Sequence, residues 1–81
     1  MYRYPDGGRR SPRRQRITAQ QAAEIALGQV PGQIIHTDLG MVRGILKYEI
    51  FVLTQEGPVY EIEVASDGGQ ILAVRAENGR R

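Results

Sequence analysis

Few residues in this chain belong to types that do chemistry, and their numbers argue against most of it. His36 is the single histidine and there is no cysteine. A Ser-His-Asp arrangement would need His36 beside Ser11 or Ser66. A structural zinc site wants four Cys or His ligands, so His36 would have to be completed by carboxylates alone. Cysteine nucleophiles are excluded outright. What remains for acid-base work is the pair Glu49 and Glu63, and with Lys47 and Arg75 nearby these carboxylates read as a solvated charged face. The expectation is a non-enzymatic protein with no catalytic residue, no metal ligand and no cofactor.

The other chemistry on offer is charge. From Met1 to Arg16 there are six arginines against Asp6, a side-chain balance of +5. Arg9, Arg10, Arg13, Arg14 and Arg16 are the candidates for contact with an anionic surface, either phosphates of nucleic acid or anionic lipid headgroups. Ser11-Pro12-Arg13-Arg14 resembles basic minor-groove tetrapeptides. The first reading of the same arm, ahead of either anionic contact, is a solvated linker to a signal peptide or anchor. Its apolar or aromatic residues are Met1, Tyr2 and Tyr4, too few to offset the chain entropy lost on ordering, so residues 1–16 are expected to be a disordered basic arm. From Ile17 onward five basic residues face eight acidic ones, giving −3. The formal +2 of the 81-residue chain is therefore a basic arm attached to a mildly acidic domain. Residues 78–81 are expected to be a short flexible tail. One domain fills the rest, since a chain of this size buries only about 60% of its unfolded surface and has no disulfide to help. No apolar run reaches the roughly 18 residues of a membrane span. Met1 to Pro5 lacks the apolar stretch of a signal peptide.

The elements that position these residues follow from punctuation and period. Thr18 is an N-cap with Gln21 three residues on, Ile17 is placed to staple onto Ala22, and Ala19, Ala22, Ala23, Ala26, Leu27 and Val30 share one helical face. Gly28 and Pro31-Gly32 end the helix at Gln29. Its small alanines imply close approach to a sheet. Period-two alternation then runs through Ile35, Thr37, Leu39 and Met41, through Leu46, Tyr48, Ile50 and Val52, through Tyr60, Ile62 and Val64, and through Leu72, Val74 and Ala76. Four strands are implied, separated by turns at Arg43-Gly44, Gln55 to Gly57 and Asp67 to Gly69. A one-residue slip would move every side chain to the other face. Parity therefore demands a two-residue first turn, which sets Thr37 by Ile50 and Leu39 by Tyr48. A three-residue second loop pairs Val52 with Tyr60 and Ile50 with Ile62. A three-residue third loop pairs Val64 with Leu72 and Ile62 with Val74, and sets Glu61 across from Arg75. Glu49 facing Glu63 is a mildly unfavourable pair. The fold class expected is α+β, one N-terminal helix packed on a four-stranded antiparallel meander.

The face away from the helix should carry Ile34, His36 and Asp38, then Lys47, Glu49, Phe51 and Leu53, then Val59, Glu61 and Glu63, then Ile71, Ala73 and Arg75. Phe51, Leu53 and Val59 cluster near the second loop and are the partner-contact candidates. Two edge strands, at Ile34 to Met41 and at Gln70 to Ala76, offer unpaired backbone to an added strand. Tyr48 and Tyr60 are expected in the core with their hydroxyls at its rim.

An opening Ile17-Thr18 with helix alanines Ala22 and Ala26, the Val30-Pro31-Gly32 stop, Tyr48-Glu49-Ile50, Tyr60-Glu61-Ile62, and an Asp67 to Gly69 turn before Gln70-Ile71-Leu72 together resemble a PepSY domain. The resemblance runs from about Ile17 to Val74, with a shortened acidic turn at Asp67. It implies a cystatin-like fold over residues 17–77, a periplasmic or secreted location, and a module that restrains or chaperones a peptidase through protein or peptide contact, as in the propeptides of thermolysin-like metallopeptidases. It implies no catalytic residues. The chain is expected to be a monomer or weak dimer. A nucleic-acid or anionic-surface binder working through the arginine arm is the alternative.

Overall fold

The computed structural model describes residues 16–77, so the arm before Arg16, including Arg9, Arg10, Arg13 and Arg14, and the tail after Glu77 lie outside the described residues. One helix, α1 (Ala19–Gln29), is followed by β1 (Gln33–Val42), β2 (Ile45–Leu53), β3 (Val59–Ala65) and β4 (Ile71–Glu77). The strands form one antiparallel sheet in the order β1-β2-β3-β4. This is the helix-on-meander arrangement that the residue pattern implies.

The helix begins where its capping chemistry dictates. Thr18 Oγ1 accepts from the Gln21 backbone N–H at 3.1 Å, and Gln21 Oε1 accepts from the Thr18 N–H at 2.9 Å, a reciprocal capping box. Val30 N–H donates to the Ala26 carbonyl at 2.8 Å before Pro31 and Gly32 turn the chain into β1. Ala22 and Ala26 are fully buried against Ile50, Val52, Ile62 and Val64, and Ile17, Ile25, Leu27, Val30 and Ile34 close around this cluster. Two methyl side chains at the contact let the helix lie close to the sheet.

A strap fixes the helix entry. The backbone of Arg16 forms an antiparallel bridge with Asp67, Ile17 N–H donates to the Ser66 carbonyl at 2.8 Å, and Ser66 N–H donates to the Leu46 carbonyl at 3.0 Å. Tyr48 is half-buried with its hydroxyl donating to the Ile17 carbonyl at 3.0 Å, as expected of a core tyrosine reaching the rim.

Two of the three turns follow parity. Arg43 and Gly44 both have positive φ, 54° and 79°, the conformation of a two-residue hairpin turn whose twist matches the strands. They set Thr37 opposite Ile50 and Leu39 opposite Tyr48. At the second turn Thr54 N–H and Oγ1 both donate to the Pro58 carbonyl, at 3.0 Å and 2.7 Å, enclosing Gln55 to Gly57. Val52 then pairs with Tyr60, Ile50 with Ile62 and Tyr48 with Val64.

Two bulges modify the rest. At the third turn Ala65 N–H donates to the Gln70 carbonyl at 2.7 Å, so the loop has one more residue than the pattern implied. Gly68 and Gly69, with φ of 91° and 79°, make that wider turn. A register shift between Glu63 and Val64 compensates: Val64 pairs with Ile71 instead of Leu72, while Ile62–Val74 and Glu61–Arg75 form as expected. A second shift lies between Ile34 and His36. It places Ile34 opposite Val52 and packs it on the core, correcting its assignment to the outer face. Ile35, the extra residue, is half exposed.

Candidate functional site

Register alone assembles the apolar candidates. Leu53 sits directly opposite Val59, and Phe51, one same-face step along β2, lies opposite Glu61. All three project from the face away from α1, at the end of the sheet bounded by the Gln55 to Gly57 loop. Leu53 is 36% exposed, and Phe51 and Val59 are half-buried. On the other side Phe51 faces His36, with ring centroids 5.6 Å apart at 58°, and His36 Nε2 lies 3.2 Å from Asp38 Oδ2.

An open groove of about 990 Å³ adjoins this patch where the helix exits into β1. Val30, Pro31, Leu53 and Tyr60 give it apolar surface, and Gln29, Gln33, Thr54 and Gln55 supply amides and a hydroxyl. The mixture suits an extended polypeptide, whose amide groups need partners while its side chains need apolar contact. The sequence shows only the Pro31-Gly32 stop at this place, because the groove's walls are 20 or more positions apart and meet through the β1–β2 pairing.

Further along the same face lies a ladder of charge. Glu63 sits between two cations: Lys47 Nζ is 3.0 Å from Glu63 Oε1, and Arg75 pairs with the other Glu63 oxygen. Lys47 also reaches Glu49 at 3.6 Å and Arg75 reaches Glu61 at 3.5 Å. Lys47 and Glu63 are only 8% exposed and Glu61 9%, so this stretch is not the solvated face that the residue types suggested. Long neighbouring side chains on three strands cover one another there, and Lys47 turns the direct Glu49–Glu63 pairing from a repulsion into a bridge. Carboxylate oxygens of Glu49, Glu61 and Glu63 lie within 4.8 Å of one another. Lys47 and Arg75 stand among them and already compensate most of their charge.

The hydrogen bond from Lys47, with Arg75 adding to it, holds the Glu63 carboxyl below its ordinary value of 4.5 against the opposing effect of desolvation. Lys47 and Arg75 are raised, each chiefly by its hydrogen bond to Glu63. A lowered carboxyl contributes stability that is present above its unfolded value and is lost as pH falls through its lower folded value. A raised lysine contributes stability present below its ordinary 10.5 and lost as pH rises through its folded value. The urea midpoint is therefore expected to be flat from about pH 6 to 9 and to fall in acid. Glu63→Gln should shrink that acid fall; acid limbs that coincide for the two proteins would show that Glu63 does not cause it.

Among the anionic-surface candidates only Arg16 is described. It is exposed, and its backbone forms an isolated antiparallel bridge with that of Asp67 at the head of the strap. No helix among the described residues is long and apolar enough to cross a membrane.

Comparison with curated proteins and with solved structures returns no match. A family model described as the peptidase propeptide and YPEB domain matches residues 16–75. That range runs from the strap residue Arg16 to Arg75 at the end of the charge ladder and takes in the helix, the core and the candidate patch. Modules of this family are propeptide-like or regulatory rather than catalytic. With its helix, its four-stranded meander and three quarters of its length within that match, this chain belongs to the PepSY family.

Proposed function

We propose that the domain modulates a peptidase by direct protein contact outside the cytoplasm, and that Phe51, Leu53 and Val59 with the adjoining groove form the contact surface. The observation that carries the reading is the position of Leu53. It is exposed, paired with Val59 on the outer face, and also part of the groove wall, so one side chain joins an apolar patch to an amide-lined channel. A patch of this kind with polar groups around it has the anatomy of a small protein-contact site. Family membership supports a peptidase as the partner. The location outside the cytoplasm rests on the family's habit.

The test uses the full chain and a thermolysin-like metallopeptidase. The chain is expected to slow hydrolysis of a small peptide substrate in a dose-dependent way. Leu53→Asp should weaken that effect by about tenfold or more, the cost of placing an unpaired charge at the centre of an apolar contact. Its thermal unfolding should stay within a few degrees of the parent, because Leu53 lies outside the buried cluster. Equal potency of the two proteins would remove the patch from the contact, and no slowing by either would remove the peptidase.

A further inference from the structure

We propose that β1 is a self-association edge, and that two copies of the chain join their sheets by antiparallel pairing of β1 about a two-fold axis through Thr37. Edge strands of soluble proteins are normally guarded by charged side chains, above all lysine, by proline, by bulges, by short length or by cover from another element, and of these β1 has one bulge, at Ile35, and one carboxylate, Asp38. β1 has ten residues, no lysine and no proline, and its outward backbone row meets no other element among the described residues. Its side chains are open too: Ile35 is 50% exposed, Leu39 55% and Met41 64%. β4, the other edge, has seven residues and an arginine already committed to Glu61 and Glu63.

The pattern of charge says what this edge fits. In a two-fold antiparallel pair, residues directly opposite share a face, so the axis must pass through a residue and each candidate centre fixes every contact. Centring on Asp38 sets two carboxylates against each other, and centring on His36 sets two imidazoles together. Centring on Leu39 leaves His36 opposite Val42 and Asp38 opposite Gly40. Centring on Thr37 places His36 opposite Asp38 of the second copy and Asp38 opposite its His36, while Ile35 meets Leu39 twice on the helix side. Because His36 and Asp38 also pair within each chain at 3.2 Å, the four groups would alternate around a square with every neighbour opposite in kind. The bulge at Ile35 ends the regular ladder there, and by the two-fold at both ends of the pair, limiting it to a short central segment and hence to a reversible dimer. This pairing uses the strand beside the Phe51 patch and does not depend on the peptidase reading.

Single cysteines test the register, since the chain has no other thiol. Thr37 and Leu39 are exposed and lie outside the buried cluster, so a cysteine at either place leaves the core intact. In the proposed dimer Thr37→Cys brings two Cα atoms to about 4.5–5.5 Å across the axis, within reach of a disulfide. Leu39→Cys leaves its two thiols on positions about 13 Å apart along the strand direction. Under mild oxidation of the folded chain, Thr37→Cys is expected to give covalent dimer at least about tenfold faster than Leu39→Cys or the β4 control Val74→Cys. Adding His36→Asp should suppress that crosslink, and the swap H36D/D38H should restore it. Sedimentation of the unsubstituted chain should show a concentration-dependent dimer. Equal rates at all three cysteines, faster crosslinking at position 39 or 74, or a strictly monomeric parent would each overturn the proposal.

Discussion

Gly32→Ala is expected to lower the stability of the domain by about 2–3 kcal/mol, a shift of roughly 10–20 °C in its unfolding midpoint. Gly32 is the residue by which the chain leaves the helix and enters β1. A Cβ there would stand 2.4 Å from the Leu53 carbonyl oxygen and 2.8 Å from Val52 Cγ1. The first of these is backbone and cannot rotate away, and the second belongs to a fully buried side chain. Relief requires the β1–β2 pairing to open at its Gln33–Leu53 end or the helix to lift from the core. Gly28 is the internal control. It has open space where a Cβ would go, so Gly28→Ala should be neutral or stabilising by up to about 1 kcal/mol through its helix propensity. Chemical denaturation of both variants checks the argument, and a Gly32→Ala midpoint equal to that of the parent would contradict the close approach.

Ile62→Ala should be more damaging still. Ile62 is fully buried at the centre of β3, paired with Ile50 on one side and Val74 on the other. Truncating a buried isoleucine costs about 2–5 kcal/mol, and the single core of so small a domain supplies only about 3–5 kcal/mol in all. The fully buried apolar cluster among the described residues is Ala22, Ala26, Ile50, Val52, Ile62 and Val64, and two of these are alanines with little to give. A large fraction of Ile62→Ala is therefore expected to be unfolded at 37 °C, seen as lost near-ultraviolet circular dichroism and a missing cooperative transition. Val74→Ala, on the neighbouring strand but 40% exposed, should retain its transition. Comparable losses for the two would mean that the helix does not concentrate the core over β2 and β3.

These effects show which parts of the molecule its sequence makes legible. Local chemistry reads directly: Thr18 and Gln21 form their capping box and the helix spans Ala19–Gln29, the limits that the cap and the Pro31-Gly32 stop imply. Register reads through parity wherever the turn is tight, as at Arg43-Gly44 and Gln55 to Gly57. Parity cannot detect a bulge, because one extra residue in the loop and one in the strand cancel. Gly68 and Gly69 widen the third turn, and the shift before Val64 brings Ile62 and Glu61 back to the partners they would have had without it. The bulge at Ile35 has no mark in a run of Gln33-Ile34-Ile35, where either isoleucine can face the core.

Apart from Ile34, which the bulge turns to the core, the charged residues of the outer face are legible in membership and not in environment. Lys47, Glu49, Glu61, Glu63 and Arg75 are assigned there by alternation, yet the burial of Lys47, Glu61 and Glu63 comes from packing across three strands, which no single strand's pattern contains. The neighbourhood of Phe51, Leu53 and Val59 follows from register. The groove beside it depends on the helix exit meeting the β2–β3 turn, a long-range meeting that the sequence does not announce.

The central question for this domain is where a peptidase touches it. The measurement is a titration of the isotope-labelled full chain with a thermolysin-like metallopeptidase, followed by backbone amide chemical shifts. Changes are predicted to concentrate at Phe51, Leu53, Val59 and the groove residues Gln33, Thr54 and Gln55, with α1 and β4 little affected. Shifts centred on α1 or β4, or an unchanged spectrum at saturating peptidase, would contradict it.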